Sequence, residues 1–491
     1  MKKNFIINII FLLFLNLLIK PFWIFGVERK VQNIVGTEDY GLYFSLFSFS
    51  LLLNIILDFG ITNFNNRNIA QNPNSLSKYL SNILSLRILL GVIYTVLSLS
   101  IGLILDYNLR QMGILGILIF NQFVASFTLY LRSNISGLQM FKTDSIISVL
   151  DRFLAILFCS ILVWGHLYGE KLYVEVFALC QTAAYVITCI TALCIVLRKT
   201  TFFKFKFDYK FLLNFLRKSY PYAILTLLMS FYNRIDSVML ERLIENGEKQ
   251  TGIYAQAFRI NDAAAMFANL FAVLLLPMFA KMLKQKENVE GLVKFAYLLV
   301  IIPALFLSNI CNFFNYDIMS LMYKENFNES APLLGMLTIG FLGICTTYIF
   351  GTLLTANGNL KYLNIMALVA MILNLSLNFI LIPKFQAKGA AISSMVTQLA
   401  SGLSQLIIAK FVFNFKINYK LIIKLIAFVC LIFAIGYFVE KQNINWIYSI
   451  IIIAISTIIL TFILKLFKIK DFFEIFKKQI MNQSGKTLFQ S

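Results

Sequence analysis

The chain has 491 residues, of which 59% are hydrophobic and only 13% charged, and its formal net charge is +20. Soluble domains carry about 25% charged residues, so a water-soluble globular protein is excluded. The positive charge sits in short loops between apolar runs, where it sets topology and contacts anionic lipid; with no RNA- or DNA-binding motif beside it, nucleic acid is not an expected partner.

The apolar runs are about 20 residues long, the length that crosses roughly 30 Å of hydrocarbon. In chain order they predict spans over 5–27, 41–60, 82–105, 111–137, 145–165, 172–197, 213–239 and 252–280. The series continues with 292–313, 332–356, 361–382, 388–413, 420–438 and 445–464, about fourteen in all. The N-terminus begins like a signal peptide, with Lys2 and Lys3 before an apolar run. Lys20-Pro21-Phe22-Trp23 follows it instead of a small-residue cleavage site, so it reads as a retained first helix. The tail after Lys465 is basic and partly amphipathic; a surface-lying helix and a frayed polar tail are both open for it.

Lys and Arg alternate between loops. Arg67 and Lys78, then Lys142, then the group from Arg198 to Lys218, then Lys281 to Lys286, Lys416 and Lys465 all fall on one side. The opposite loops are acidic or sparse: Asp106, Glu170, Glu241, Glu248, Asp317, Glu325 and Glu329. The positive-inside rule makes the first side cytoplasmic and leaves both termini inside.

The most basic loop, 198–218, lies between the sixth and seventh spans. Gly36-Thr-Glu-Asp-Tyr-Gly41-Leu-Tyr43 follows the first span and Gly247-Glu-Lys-Gln-Thr-Gly252-Ile-Tyr254 follows the seventh, 211 residues later, with Gly, Gly and Tyr at the same spacing. A parallel duplication accounts for both. The expected organisation is an N-terminal six-helix bundle over 1–197, a basic cytoplasmic linker over 198–218 and a second six-helix bundle over 219–413. Two additional spans over 414–464 and a basic cytoplasmic tail over 465–491 complete it.

Seven Cys lie in apolar runs without CxxC spacing, and the only His, His166, is in a short loop. That pattern fits small apolar helix residues rather than a metal site or a disulfide framework. No external loop exceeds about 25 residues, and no paired-carboxylate, Ser/His or metal arrangement stands out. The expectation is therefore a protein that is not an enzyme and holds no cofactor.

Several segments resemble Wzx-type polysaccharide flippases. Val35-Gly36-Thr37-Glu38-Asp39-Tyr40-Gly41-Leu42-Tyr43 is similar to their "LGpeeYGlY" start of the second helix, and Asp58-Phe59-Gly60 with Arg67 and Ala70 to its "DfGl…R..a" end. Asn233-Arg234-Ile235-Asp236 and Thr251 through Ile260 resemble the middle signature. Ala356-Asn357-Gly358-Asn359 and Leu381-Ile382-Pro383-Lys384-Phe385, with Gly389-Ala390-Ala391, resemble the late one. The sequence departs at Gln386, where Gly is frequent, and at Thr251, where Val is usual.

The resemblance implies the multidrug/oligosaccharidyl-lipid/polysaccharide exporter fold: all-α, V-shaped, two six-helix bundles about a central cavity, plus two C-terminal helices. It implies alternating-access transfer of an undecaprenyl-diphosphate-linked oligosaccharide from the cytoplasmic to the outer leaflet of a bacterial inner membrane. That transfer would serve O-antigen or capsule synthesis. The implied partners are that lipid-linked oligosaccharide, membrane lipids and other surface-polysaccharide assembly proteins.

Ionisable residues within spans are functional candidates, because their insertion costs on the order of 2.5–3.5 kcal/mol. Lys20, Arg234 and Arg259 lie well inside spans one, seven and eight. With a lipid diphosphate as cargo they are the expected substrate-binding cations. Against this stand an i,i+3 pairing of Arg259 with Asp262, pairing of Arg234 across helices and outward snorkelling of Lys20. Arg87, Arg132 and Arg152 lie near cytoplasmic helix ends. Snorkelling and a basic vestibule that collects anionic headgroups are both open for them. Asp58 reads as helix-end structure. Asp236 and Asp262 are candidates for coupling to H+ or Na+. Asn54, Asn121, Gln122, Asn374 and Asn378 read as helix–helix contacts or as partners for sugar hydroxyls.

The alternatives are a multidrug/toxin extruder or a peptidoglycan-precursor flippase of the same fold, and a membrane-embedded glycan polymerase or ligase. The extruder would need an acidic cavity, and the enzyme a large external loop.

Overall fold

The computed structural model describes residues 15–466 except 17, 63–64, 67–68, 70–71, 73–75, 166–171, 201–208, 417 and 443. The start of the first predicted span, Arg67, His166, the middle of the basic linker and the basic tail lie outside the described residues.

Among the described residues every regular element is helical. The first helix, α1 (18–35), contains a π-helical stretch at Trp23–Glu28 and ends at Gly36, whose φ of 92° is open to glycine and costly for other residues. It is followed by α2 (Thr37–Leu52), α3 (Leu76–Ile104), α4 (Leu109–Gly137), α5 (Phe141–Trp164) and α6 (Val174–Leu197). Next come α7 (Tyr209–Leu243), α8 (Gly247–Lys284), α9 (Glu290–Phe313), the short α10 (Asn315–Met322) and α11 (Phe327–Ala356). The chain closes with α12 (Leu360–Phe413), α13 (Tyr419–Glu440) and α14 (Trp446–Ile463).

Eleven of these helices are long and apolar enough to cross a membrane. One of them, α12, has 54 residues; a straight helix of that length would run about 80 Å, more than twice a hydrocarbon core. It is instead a hairpin. Gln386 breaks it at φ 52° and ψ −131°, and the backbone of Gly389 packs against the carbonyl of Leu381. Further out, Ser401 donates to the sulfur of Met366 at 3.4 Å. Two limbs therefore stand where the hydropathy predicts 361–382 and 388–413. With α2 the helical segments stand where thirteen of the predicted spans fall, and α1 covers the described end of the first.

The break falls at a position that favours glycine, which is where the sequence departs from the flippase signature. A non-glycine residue held there costs on the order of 1–3 kcal/mol.

The chain divides into two compact units. The first comprises residues 1–263, 322–327 and 367–394. Its apolar core runs through Ile61, Leu76, Leu80, Ile83, Tyr130, Leu131 and Val196. The second comprises residues 264–321, 328–366 and 395–491. There α13 and α14 sit on α9: Ile310, Phe314 and Ile453 form a buried cluster, and Asn309 donates to the carbonyl of Ile432 at 2.9 Å. Gly436 lets α13 approach Phe313 and Asn309 closely. Large apolar side chains such as Leu89, Val92 and Val96 on α3, and Ile451, Ile455 and Ile459 on α14, point away from the protein, as lipid-facing stripes must.

Within the first unit the two repeated segments touch each other. A Cβ built on Gly41 would lie 1.8 Å from the carbonyl oxygen of Glu248, and one built on Gly252 would lie 1.9 Å from that of Thr37. The 211-residue offset carries Gly41 onto Gly252 and Thr37 onto Glu248. The contact is thus reciprocal, as in a two-fold interface between identical surfaces. The shared glycines are there because two helix backbones pack directly on one another.

A strap from further along the chain is tied to the same place. Asn33 on α1 donates to the carbonyl of Met322 (2.8 Å) and accepts from the amide of Lys324 (3.0 Å). Asn326 donates to Thr37, Gln256 donates to the carbonyl of Glu325, and Tyr323 donates to the carbonyl of Gln256.

Candidate functional site

The first unit places four ionised side chains in one chain of alternating sign, running Arg234, Asp262, Arg259, Glu28. Arg234 on α7 holds Asp262 on α8 through two parallel contacts of 3.2 Å. Asp262 Oδ2 also lies 3.5 Å from Arg259 Nη1, one helical turn back on α8. The far side of Arg259 meets Glu28 on the π stretch of α1, Nη2 to Oε1 at 2.6 Å. Tyr40 on α2 joins the last pair: its hydroxyl donates to Glu28 Oε1 (2.7 Å) and accepts from Arg259 Nε (3.2 Å).

Aromatic faces line the guanidinium groups. Phe44 and Phe47 lie 4.8 Å and 5.3 Å from Arg259, and Phe258 lies 5.1 Å from Arg234. Arg259 is 9% exposed and Glu28 3%, so these attractions act with little water between them.

Both pairings weighed from the sequence for the deep arginines are present, and they converge on one carboxylate. Glu28 escaped the sequence reading because it follows immediately after the predicted end of the first span. The signal that could have found it is its register, eight residues or about two helical turns beyond Lys20, had the helix been extended past 27.

Lys20 stands apart from Arg234 and Arg259. It is half-buried, and the charges that act on it are Arg152, Asp151 and Arg132. Arg132 pairs with Asp144 at 2.8 Å, while Arg152 lies 3.9 Å from Asp151 and 5.7 Å from the rings of both Trp23 and Tyr185. These three cations form a second group, with Arg152 also acting on Glu28.

Arg87 belongs to neither group. It is 2% exposed and pairs with Asp58, while its Nη1 donates to the carbonyl of Leu57 (2.6 Å) and to Ser126 (2.8 Å). Asp58 accepts in turn from the amides of Gly60 and Thr62. The end of α2 is irregular here, with a tight turn at Asn54–Leu57 and positive φ at Phe59 and Gly60. Arg87 and Asp58 satisfy the backbone groups that this irregularity leaves without helical partners.

Asp236 makes a separate site. It is 1% exposed, and no ion pair involves it among the described residues. Oδ1 accepts from Asn374 (2.9 Å) and Asn378 (2.7 Å) on the first limb of α12, and Oδ2 accepts from Tyr254 (3.1 Å) on α8. Asn378 also donates to Asn374 at 3.1 Å, while its own Oδ1 is buried without a partner. The result is a carboxylate with a surrounding set of neutral oxygens and amides. Asn374 and Asn378, read from the sequence as polar residues within a span, lie one helical turn apart and so face Asp236 together. Among the described residues no group of three or more His, Cys, Asp or Glu is placed to hold a metal ion.

Helices long and apolar enough to cross a membrane, with a recurring Gly-Gly-Tyr spacing and charges paired between helices, define a polytopic membrane protein. Residues 5–283, more than half of the chain, match the family described as "Polysaccharide biosynthesis protein". The chain belongs to that family. A capsular polysaccharide biosynthesis protein, CapF, of Staphylococcus aureus is 25% identical over 195 residues, 39% of this chain and 49% of that protein; the match thus spans about half the length of that relative. An uncharacterised membrane protein of Methanocaldococcus jannaschii is 24% identical over 386 residues, 75% of this chain and 89% of its own.

Among solved structures, the lipid II flippase MurJ in an inward closed conformation superposes with a TM-score of 0.72 at 15% identity, covering 93% of this chain and 98% of MurJ. An inward-facing multidrug resistance MATE family transporter of the MOP superfamily gives 0.59 at 16% identity, covering 80% and 94%. The fold is that of the MurJ and MATE proteins, as the resemblance read from the sequence implies. These neighbours are named as a flippase and a transporter.

Proposed function

We propose that the protein is a flippase that carries an undecaprenyl-diphosphate-linked oligosaccharide from the cytoplasmic to the outer leaflet of a bacterial inner membrane by alternating access, with both termini cytoplasmic. The observation that carries this reading is the pair of guanidiniums, buried Arg259 and half-buried Arg234, sharing Asp262 in a member of a polysaccharide biosynthesis family. Arginine forks match phosphate oxygens bidentately, and the diphosphate is the part of such a cargo that hydrocarbon opposes most strongly.

Arg234 and Arg259 take the diphosphate in this reading. Lys20, Arg132 and Arg152 form the basic path by which the headgroup reaches them. The placement of Arg87, buried and paired with Asp58, suits a structural part instead. Asp236 is the group that couples transport to H+ or Na+. It is a buried carboxylate with no ion-pair partner among the described residues, held by neutral donors and beside the unpartnered Oδ1 of Asn378, whereas Asp262 is already neutralised by two arginines.

The test is deletion of the gene followed by lipid analysis. Accumulation of diphosphate-linked repeat units in the inner leaflet, with loss of surface glycan, is the expected result. Complementation by Arg259→Ala, inserted at wild-type level, should leave that accumulation uncorrected. Unchanged surface glycan with lost drug tolerance would replace this reading with the extruder. Accumulated peptidoglycan precursor would replace it with the precursor flippase.

A further inference from the structure

The four-membered cluster has a formal charge of zero: two guanidiniums, Arg234 and Arg259, against two carboxylates, Asp262 and Glu28. A neutral cluster has no net attraction for a diphosphate, and its two carboxylates, of which Glu28 is buried, repel one. If Arg259 is to hold phosphate, one carboxylate must leave it. The two carboxylates are built differently. Asp262 lies on regular α8, is tied to Arg259 one turn away, and receives both prongs of Arg234. Glu28 uses only Oε1, which takes both Arg259 and Tyr40, and its Oε2 is buried with no partner. It also ends the π stretch Trp23–Glu28, the one irregular piece of helix among the four residues.

A π stretch holds about one residue more per turn than an α-helix requires, and such stretches are rare and frequently lie at functional sites. Relaxing it to α geometry turns Glu28 about 100° around the axis of α1, off Arg259.

From this we infer that Glu28 is a positioning residue that occupies Arg259 as an internal stand-in for the substrate's phosphate, and that the cargo displaces it by resetting the π stretch of α1. The empty site is thereby kept neutral and closed to inorganic anions. After transfer Glu28 returns to Arg259 and expels the diphosphate. The inference rests on the flippase reading, since it needs a phosphate-bearing cargo at Arg259.

The experiment measures binding of sugar-free undecaprenyl diphosphate to the full-length protein in nanodiscs, and transport of the lipid-linked repeat unit in vesicles. Wild type, Glu28→Gln, Glu28→Asp and Arg259→Gln are compared. Glu28→Gln keeps the shape and hydrogen bonds of the side chain but removes its charge. It should bind the lipid diphosphate about 5- to 150-fold more tightly. In transport it should lower both KM and the maximal rate, because release slows.

Glu28→Asp keeps the charge but is one methylene short of Arg259; it should shift binding in the same direction and decides the matter if Glu28→Gln does not insert. A merely structural role predicts weaker binding in both. If wild type binds and Arg259→Gln weakens binding while neither Glu28 variant tightens it, the displacement proposal falls and the flippase reading stands. If wild type does not bind the lipid diphosphate, both fall.

Discussion

Adding one methyl group at Gly41 tests the reciprocal contact between the repeats. A Cβ there would lie 1.8 Å from the Glu248 carbonyl oxygen and 2.5 Å from the Gly252 nitrogen, whereas ordinary contact begins near 3.4 Å. The neighbours are backbone, so no side chain can swing aside. The helices carrying the two segments must part by about 1.6 Å, the difference between those distances. Overpacking of this kind costs about 1–3 kcal/mol, less up to about 1 kcal/mol that alanine gains over glycine in a helix.

Gly113→Ala on α4 supplies the baseline, because a Cβ there meets nothing within 4 Å and only the propensity gain remains. Unfolding free energies of the purified protein in mixed micelles should rank Gly113→Ala at or above wild type, with Gly41→Ala and Gly252→Ala below it. The double variant is the sharper measurement. Because one separation relieves both clashes, Gly41→Ala/Gly252→Ala should lose clearly less than the sum of the single losses, with a coupling of about 0.5–3 kcal/mol. Additive losses, or a Gly41→Ala protein as stable as Gly113→Ala, would refute the two-fold contact.

Gln386→Gly should stabilise the protein by roughly 1 kcal/mol in the same unfolding measurement, since it relieves a positive φ at the α12 hairpin; a loss of stability would mean that the Gln386 side chain holds the turn. Arg87→Ala should cost about 3–5 kcal/mol, because it leaves Asp58 and the Leu57 carbonyl without their partner, and its expression should fall accordingly; near-normal stability would exclude the structural part given to this pair. Asp236→Asn should leave the protein folded but make export at least about tenfold slower and insensitive to ionophores that collapse the H+ or Na+ gradient. Export that still follows the gradient in that variant would move the coupling elsewhere.

The helices were legible because hydrocarbon thickness forces a length on each apolar run, and length survives without any knowledge of packing. The α12 hairpin shows how far this goes: hydropathy placed its two limbs on either side of Gln386, whose φ of 52° and ψ of −131° break the helix. The glycine repeat was legible for a related reason. Two backbones in contact exclude every side chain, and that constraint wrote the same spacing twice.

Charge pairing was only half legible. An i,i+3 pair such as Arg259 and Asp262 is fixed by helix geometry and can be read along one strand of sequence. The pairing of Arg259 with Glu28 spans 231 positions and depends on a π stretch that leaves no mark in composition. Counting cations within spans therefore made the interior look basic, when at Arg259 it is balanced. The same blindness ran the other way at Asp236. Arg234 stands two residues from it yet turns to Asp262, and Asp236 accepts instead from Tyr254, Asn374 and Asn378. Residues two apart on a helix face different directions, so their opposite signs say nothing about each other. It is this divergence that leaves one carboxylate among neutral donors and holds the other between two arginines.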